Sequence, residues 1–137
     1  MSPPTGARLA YVILYVEDID AAVKFYKDVF MFDVRRVDSS RRWAELETGS
    51  TTLAFTPLEQ RKMKITGGVH APEEQEQRQN VEISISVFDV QDTFERALQA
   101  GSKEVAKPEP KEWGQTVGYL RDPFGITVRL GSHLSSS

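Results

Sequence analysis

The last apolar stretch of the chain carries an arginine in its middle. The segment DPFGITVRLGSH, residues 122–133, is typical of a turn followed by a short strand. Its apolar residues alternate with Thr127 and Arg129, so the arginine lies on the polar face of the strand. A guanidinium is always protonated and binds carboxylates through paired hydrogen bonds. The residue therefore indicates either an internal ion pair or the recognition of a polar or anionic ligand.

A strand at the start of the second half of the chain offers a partner for Arg129. In VEISISVF, residues 81–88, the isoleucines form an apolar face, and Glu82, Ser84 and Ser86 form a polar one. We predict a salt bridge between Glu82 and Arg129. Two alternatives stay open: both residues are solvated on an open sheet, or their pairing fixes the strand register without any ligand.

Aromatic side chains supply the other candidate binding groups. Trp113 lies in KPEPKEWGQ, a loop whose proline and glycine content places it outside a regular core, and Gln115 and Tyr119 follow on the next strand. Aromatic residues also fill cores and dimer interfaces, so that alternative stays open. Glu45 and Glu47 alternate with apolar residues and are expected on a solvated strand face. The candidate pocket residues are Tyr11, Leu53, Phe55, Glu82, Trp113, Gln115, Tyr119 and Arg129.

The elements that must position these residues repeat along the chain. The segment YVILYVEDIDAAVKFY, residues 11–26, aligns with EISISVFDVQDTFERA, residues 82–97, at an offset of 71 residues. Asp18 and Asp89 occupy matching places and are expected to cap the helices that follow. Three short strand-like segments come after each helix. The pattern predicts two copies of one βαβββ unit.

The ends of the two halves also align. The segment GSTTL, residues 49–53, matches GITVR, residues 125–129, which places Leu53 opposite Arg129. On this alignment, Leu53 and Phe55 share a sheet face with Tyr11. We predict a single domain over residues 1–137, with a first module at about 8–56, a connector at about 57–80 and a second module at about 81–131.

Composition limits the classes of partner. The net charge of −3 argues against nucleic acid, which needs a basic surface, and no apolar run is long enough to cross a membrane. The absence of cysteine excludes disulfides, thiolate nucleophiles and cysteine-bound metals. A start without a basic, apolar leader favours a cytoplasmic location.

The connector is polar and charged. It is expected to be a solvated loop, and the alternative is a closing lid with Gly67 and Gly68 as its hinge and His70 beside them.

Three segments together resemble the vicinal oxygen chelate superfamily, which includes glyoxalase I, extradiol dioxygenases and bleomycin-binding proteins. They are YVILYVEDIDAAVKFYKDVF, VEISISVFDVQDTFERALQAG and DPFGITVRL. The segments RRWAELETGSTTLAFTP and KEWGQTVGYLRDPFGITVRLGSH are most similar to small single-domain plant members described as desiccation-induced. The resemblance implies an α+β fold with paired βαβββ modules. These would form an eight-stranded, incompletely closed mixed sheet with helices on its outer face, often as a homodimer.

In the metal-using members that the chain resembles, the positions of Tyr11, Leu53, Glu82 and Arg129 carry histidine, glutamate or glutamine and hold one divalent ion. Here only Glu82 suits such an ion, because leucine and arginine offer it no lone pair. We therefore expect no metal and no cofactor. The predicted function is binding of a small polar or aromatic molecule. The alternatives are a metal-dependent lyase or isomerase of the glyoxalase I type and a stress-related structural protein with a vestigial pocket.

Overall fold

The computed structural model describes residues 6–58 and 80–133. The chain divides into two compact units, Met1–Ala71 and Pro72–Ser137. The first unit contains β1 (Tyr11–Val16), α1 (Ile19–Phe30), β2 (Asp33–Val37), β3 (Ala44–Glu47) and β4 (Thr52–Pro57). The second contains β5 (Ile83–Val87), α2 (Val90–Gln99), β6 (Lys103–Pro110), β7 (Thr116–Arg121) and β8 (Thr127–Ser132). The predicted α+β fold with two βαβββ modules is confirmed, whereas the expectations for Gly67, Gly68 and His70 lie outside the described residues.

Both helices begin at the predicted aspartates. The side chain of Asp18 accepts a hydrogen bond from the backbone N–H of Ala21 at 3.1 Å, and Asp89 accepts one from Asp92 at 3.0 Å. Each bond satisfies an N–H that the helix leaves without a partner in its first turn. Gly101 follows α2 with a φ of 110°, a left-handed conformation that favours glycine and ends the helix.

Each unit forms a mixed four-stranded sheet. The strand orders are β1-β4-β3-β2 and β5-β8-β7-β6, so the first and last strands of each module are neighbours. These neighbours run parallel, and the remaining pairs are antiparallel. The shared strand order confirms the internal repeat that the sequence predicts.

The buried face of the first sheet holds most of that unit's core. Phe55 is fully buried and its ring lies 5.4 Å from the ring of Tyr26 on α1. Leu53 occupies the same face of β4, because side chains two residues apart point the same way. Leu46 of β3 lies directly across from Leu53 and is also fully buried.

The strand register corrects the predicted placement of Leu53 and Phe55. Tyr11 pairs with Thr52, and Ile13 pairs with Ala54, so Leu53 and Phe55 lie on the opposite face from Tyr11. The alignment of GSTTL with GITVR predicted that these residues share a face with Tyr11, because it was shifted by one residue at β4. A shift of one residue moves every side chain of a strand to the other face.

The second sheet follows the predicted alternation. Ile85 is buried, whereas Ser84 and Ser86 are exposed. Val128 and Leu130 are fully buried on the face that Ile85 shares, since Ile85 pairs with Leu130. We call the other side, which carries Ser84, Tyr119, Arg129 and Gly131, the polar face of the second sheet. Neither helix is long enough and apolar enough to cross a membrane.

A core substitution tests the corrected placement of Phe55. Truncation to Ala should lower the free energy of unfolding by about 3–5 kcal/mol, because it removes a fully buried ring and leaves a cavity. Urea denaturation followed by circular dichroism measures the loss. Ile13→Ala, at a half-exposed position on the opposite face of the same sheet, should cost about 1 kcal/mol or less. Equal losses for the two variants would contradict the assignment of the faces.

Candidate ligand-binding site

Arg129 lies between polar neighbours on the polar face of the second sheet. It pairs in register with Ser84 of β5 on one side and with Tyr119 of β7 on the other. Its Nη1 donates to the hydroxyl of Ser84 at 3.1 Å. Its Nη2 donates to Oε1 of Gln115 at 3.4 Å, a long and weak bond. Both partners are neutral, so these bonds orient the guanidinium without neutralising its charge.

Gln115 is the best-connected side chain of this group. It is 8% exposed, and its Nε2 donates to the backbone carbonyl of Ser132 at 2.7 Å. That bond sets the orientation of the carboxamide, because only its NH₂ group can donate to the carbonyl of Ser132. The oxygen therefore points towards the two donors that share it, Trp113 and Arg129.

Trp113 presents its ring beside this network. The residue is 58% exposed, yet its indole N–H is satisfied because it donates to Oε1 of Gln115 at 2.7 Å. An exposed aromatic ring whose polar edge is already bonded offers its face for stacking. The sequence prediction that Trp113 lies outside the core is consistent with this exposure.

Gly131 provides the space in which these side chains meet. A methyl group placed on its Cα would lie 3.1 Å from Nε2 of Gln115 and 3.2 Å from Nη1 of Arg129. Both distances are tighter than nearly all real contacts of this kind. The guanidinium therefore lies over the glycine, two residues along β8 from its own Cα and towards Gln115. We call Ser84, Trp113, Gln115, Arg129 and Gly131 the Arg129 cluster.

The predicted salt bridge between Glu82 and Arg129 stays a prediction. Glu82 precedes β5, and the residue that pairs with Arg129 is Ser84, two positions further on. The guanidinium instead reaches in the other direction, towards Gln115.

The first unit brings a different set of side chains together. Tyr11, which is 43% exposed, packs edge-on against Trp43 with ring centroids 6.0 Å apart. The indole N–H of Trp43 donates to Oε2 of Glu45 at 2.7 Å, and Nε of Arg35 donates to Oε1 at 3.0 Å. Arg35 also donates to the hydroxyl of Thr52. Of the predicted pocket residues in this unit, only Tyr11 joins these contacts.

Glu45 was expected on a solvated strand face, and the structure buries it. The residue is 6% exposed, and the hydrogen bond from Trp43 is the largest influence that lowers the pKa of its carboxyl. Burial acts in the opposite direction and raises the pKa. The hydrogen bond from Arg35 and its positive charge lower the pKa further. The spacing Trp-x-Glu at 43–45 could have indicated this hydrogen bond from the sequence. The similar spacing Trp-x-Gln recurs at 113–115, where the indole N–H also donates to the side chain two residues later.

The positions that resemble a metal site do not fit one. Arg129 has no lone pair for an ion, and Leu53 lies on the buried face of β4. Ala54, which pairs with Ile13 and is fully buried, has no side-chain atom that can bind an ion. Within residues 6–58 and 80–133, no group of three histidine, cysteine, aspartate or glutamate residues is arranged to hold an ion. His133 packs against Phe88, with ring centroids 4.7 Å apart.

Comparison with known proteins now identifies the family. The model of the Glyoxalase/Bleomycin resistance protein/Dioxygenase superfamily matches residues 8–130. The chain belongs to this superfamily, which agrees with its paired βαβββ modules and with the resemblance seen in its sequence.

Solved structures share the fold at low sequence identity. A glyoxalase/bleomycin resistance protein/dioxygenase family enzyme from Burkholderia phytofirmans superimposes with a TM-score of 0.74 at 21% identity, covering 92% of this chain and 98% of that one. TioX from Micromonospora sp. ML1 superimposes with a TM-score of 0.64 at 24% identity, covering 93% and 100%. At these identities the likeness shows the fold alone.

A curated relative matches only part of the chain. An uncharacterized protein from Mycobacterium bovis is 43% identical over 51 residues, which are 37% of this chain and 34% of that protein. The matched stretch therefore spans about a third of the relative's length.

The pH dependence of stability tests the contacts of Glu45. The pKa of Glu45 is lower in the folded protein than in the unfolded chain. Its carboxylate therefore stabilises the fold fully at pH values above the ordinary pKa of glutamate, about 4.3. This stabilisation is lost as the pH falls through the folded-state pKa. The stability difference between the wild type and Glu45→Gln should therefore be largest near neutral pH and shrink on acidification. Urea denaturation across a pH series measures it.

Glu47→Gln is the matched control for this experiment. Its carboxylate is half-exposed and lies 3.7 Å from Nη1 of Arg35, so its removal should change stability by no more than about 0.5 kcal/mol. A stability difference for Glu45→Gln that stays constant or grows at acid pH would contradict the assigned contacts.

Proposed function

We propose that the protein binds a small polar or anionic molecule at the Arg129 cluster without a metal ion. The observation that carries this proposal is the pairing of Arg129 with the neutral partners Ser84 and Gln115. A guanidinium has five N–H donors in a rigid fork, and these two bonds use only some of them. A carboxylate or phosphate matches the geometry of the other N–H donors.

The strand geometry supports a binding role over a purely structural one. Two other arginines pair with carboxylates, Arg35 with Glu45 and Arg41 with Asp20. The side chains that Arg129 contacts among the described residues, Ser84 and Gln115, are neutral. A ligand would add the negative charge that these two groups lack.

The same residue supports metal independence. An ion at the superfamily's usual positions would lie close to a fixed positive charge, which repels it. Catalytic ions generally take about three protein ligands, and the corresponding positions here offer one carboxylate, on Glu82. This favours metal-independent binding over the alternative of a metal-dependent lyase or isomerase.

Other expectations from the sequence also belong to this proposal. They are a cytoplasmic homodimer, kinship with the desiccation-induced plant members, and a role in the stress response. The polar network at the Arg129 cluster favours a working pocket over a vestigial one, because a vestigial site needs no exposed indole fixed beside a guanidinium.

Titration calorimetry with small anions tests the proposal. Protein dialysed against EDTA should bind inorganic phosphate or benzoate saturably, with one site per chain and a dissociation constant in the millimolar range or tighter. Arg129→Met should weaken the binding at least about tenfold, since charged hydrogen bonds contribute about 1.5–3 kcal/mol. Arg41→Lys, which changes an arginine already paired with Asp20, should bind as the wild type does.

Three results would overturn the proposal. The first is the absence of binding by both anions. The second is binding that Arg129→Met leaves unchanged. The third is binding that needs added Ni²⁺ or Zn²⁺, which would favour the metal-dependent enzyme.

A further inference from the structure

We infer that the ligand is a planar aromatic carboxylate, with its ring on the indole of Trp113 and its carboxylate on the guanidinium of Arg129, and that Gln115 sets this selectivity. The inference rests on the proposed function and narrows it to one class of molecule. It comes from the way a single oxygen, Oε1 of Gln115, joins the two binding groups.

The shared oxygen fixes the distance between the two groups. Nε1 of Trp113 lies 2.7 Å from Oε1, and Nη2 of Arg129 lies 3.4 Å from it. The two nitrogens are therefore separated by no more than the sum of these lengths. A rigid molecule that contacts both groups must carry its anionic group close to its ring, either directly on it or through a short chain. Long flexible anions gain the contact with Arg129 and lose the stacking.

The indole is suited to stacking and not to hydrogen bonding. Its only N–H is used by Gln115, so a ligand gains nothing by offering an acceptor there. Its exposed face attracts flat π-systems. An aliphatic ring of the same size would bury similar area but lack the stacking geometry.

The neutrality of Gln115 distinguishes its contact with Arg129 from a similar contact in the first unit. There Trp43 and Arg35 donate to the two oxygens of one carboxylate, that of Glu45, so an ion pair forms within the protein. In the second unit Trp113 and Arg129 donate to one oxygen of an uncharged carboxamide, so Gln115 does not neutralise the charge of Arg129.

Gln115→Glu tests the role of charge at this position, because it places a carboxylate beside Arg129. The carboxylate can accept from Trp113 and pair with Arg129, but it loses the bond that Nε2 donates to the carbonyl of Ser132, so the melting temperature should fall. Titration calorimetry with 2-naphthoate should show binding at least about tenfold weaker than in the wild type, a change that corresponds to about 1.4 kcal/mol. The melting temperature shows whether the variant is folded.

Three probe molecules separate the two halves of the ligand. 2-Naphthoate should bind the wild type at least tenfold more tightly than 2-naphthamide, which lacks the charge, and than decahydro-2-naphthoate, which has the same carbon skeleton but is not flat. Trp113→Leu should lose the preference for 2-naphthoate over decahydro-2-naphthoate but keep the binding of both carboxylates. This second variant keeps the test decisive if Gln115→Glu does not fold.

Phe88→Leu is the matched control for Trp113→Leu. Phe88 is 95% exposed in the same unit and packs against His133, outside the Arg129 cluster. Its loss should leave the affinity for 2-naphthoate unchanged. An equal loss in both variants would show that the ring binds to exposed aromatics in general and would overturn the inference.

The outcomes distinguish the inference from the proposed function. Equal affinity for 2-naphthoate and decahydro-2-naphthoate, both lost in Arg129→Met, would overturn the aromatic selectivity and leave anion binding standing. Unchanged 2-naphthoate binding in a folded Gln115→Glu variant would overturn the role of Gln115. Absence of binding by every anion, phosphate and benzoate included, would overturn both.

Discussion

The oxygen of one buried carboxamide organises the polar face of the second sheet. Oε1 of Gln115 accepts from Trp113 and Arg129, while Nε2 is committed to the carbonyl of Ser132. The side chain therefore has no freedom to turn over, and the positions of the two donors follow from it. Gly131 leaves the space that the guanidinium and the carboxamide need. Backbone, carboxamide, indole and guanidinium form one connected unit.

The two modules show how a repeated fold acquires different chemistry. Both place a tryptophan two residues before a glutamate or glutamine, and in both the indole bonds to that side chain. The two pairs do not occupy equivalent places, because Glu45 lies within β3 and Gln115 precedes β7. What they share is local: an indole and a guanidinium on one acceptor. The acceptor of Arg35 is a carboxylate and that of Arg129 is an uncharged carboxamide, so of these two contacts only the first is an ion pair.

Much of the fold could be predicted from the sequence, because its signals are local. Asp18 and Asp89 precede amphipathic segments and cap them, and the alternation in VEISISVF gives the buried and exposed faces of β5. The weak point was register. The low similarity between GSTTL and GITVR allowed a shift of one residue, and this placed Leu53 and Phe55 on the wrong face.

The candidate site was harder to predict than the elements that carry it. Arg129, Gln115 and Trp113 were named from their residue types and places in the chain, but their common hydrogen bonds depend on where the arginine side chain bends. Glu45 was missed because a charged residue in an alternating strand normally faces solvent, and its burial depends on Arg35 from a neighbouring strand. Arg35 lies ten residues before Glu45 and on another strand, so the alternation within β3 does not reveal this contact.

The indole N–H resonances offer the most direct test of the central claim, that Trp113 and Arg129 bind one aromatic anion together. The chain has two tryptophans, so a ¹H–¹⁵N spectrum of labelled protein should contain two indole signals. On titration with 2-naphthoate, the account predicts saturable shifts of the Trp113 indole and the Arg129 Nε–H signals with one dissociation constant, while the Trp43 indole signal stays in place. Shifts of the Trp43 signal alone, or of neither indole, would contradict it.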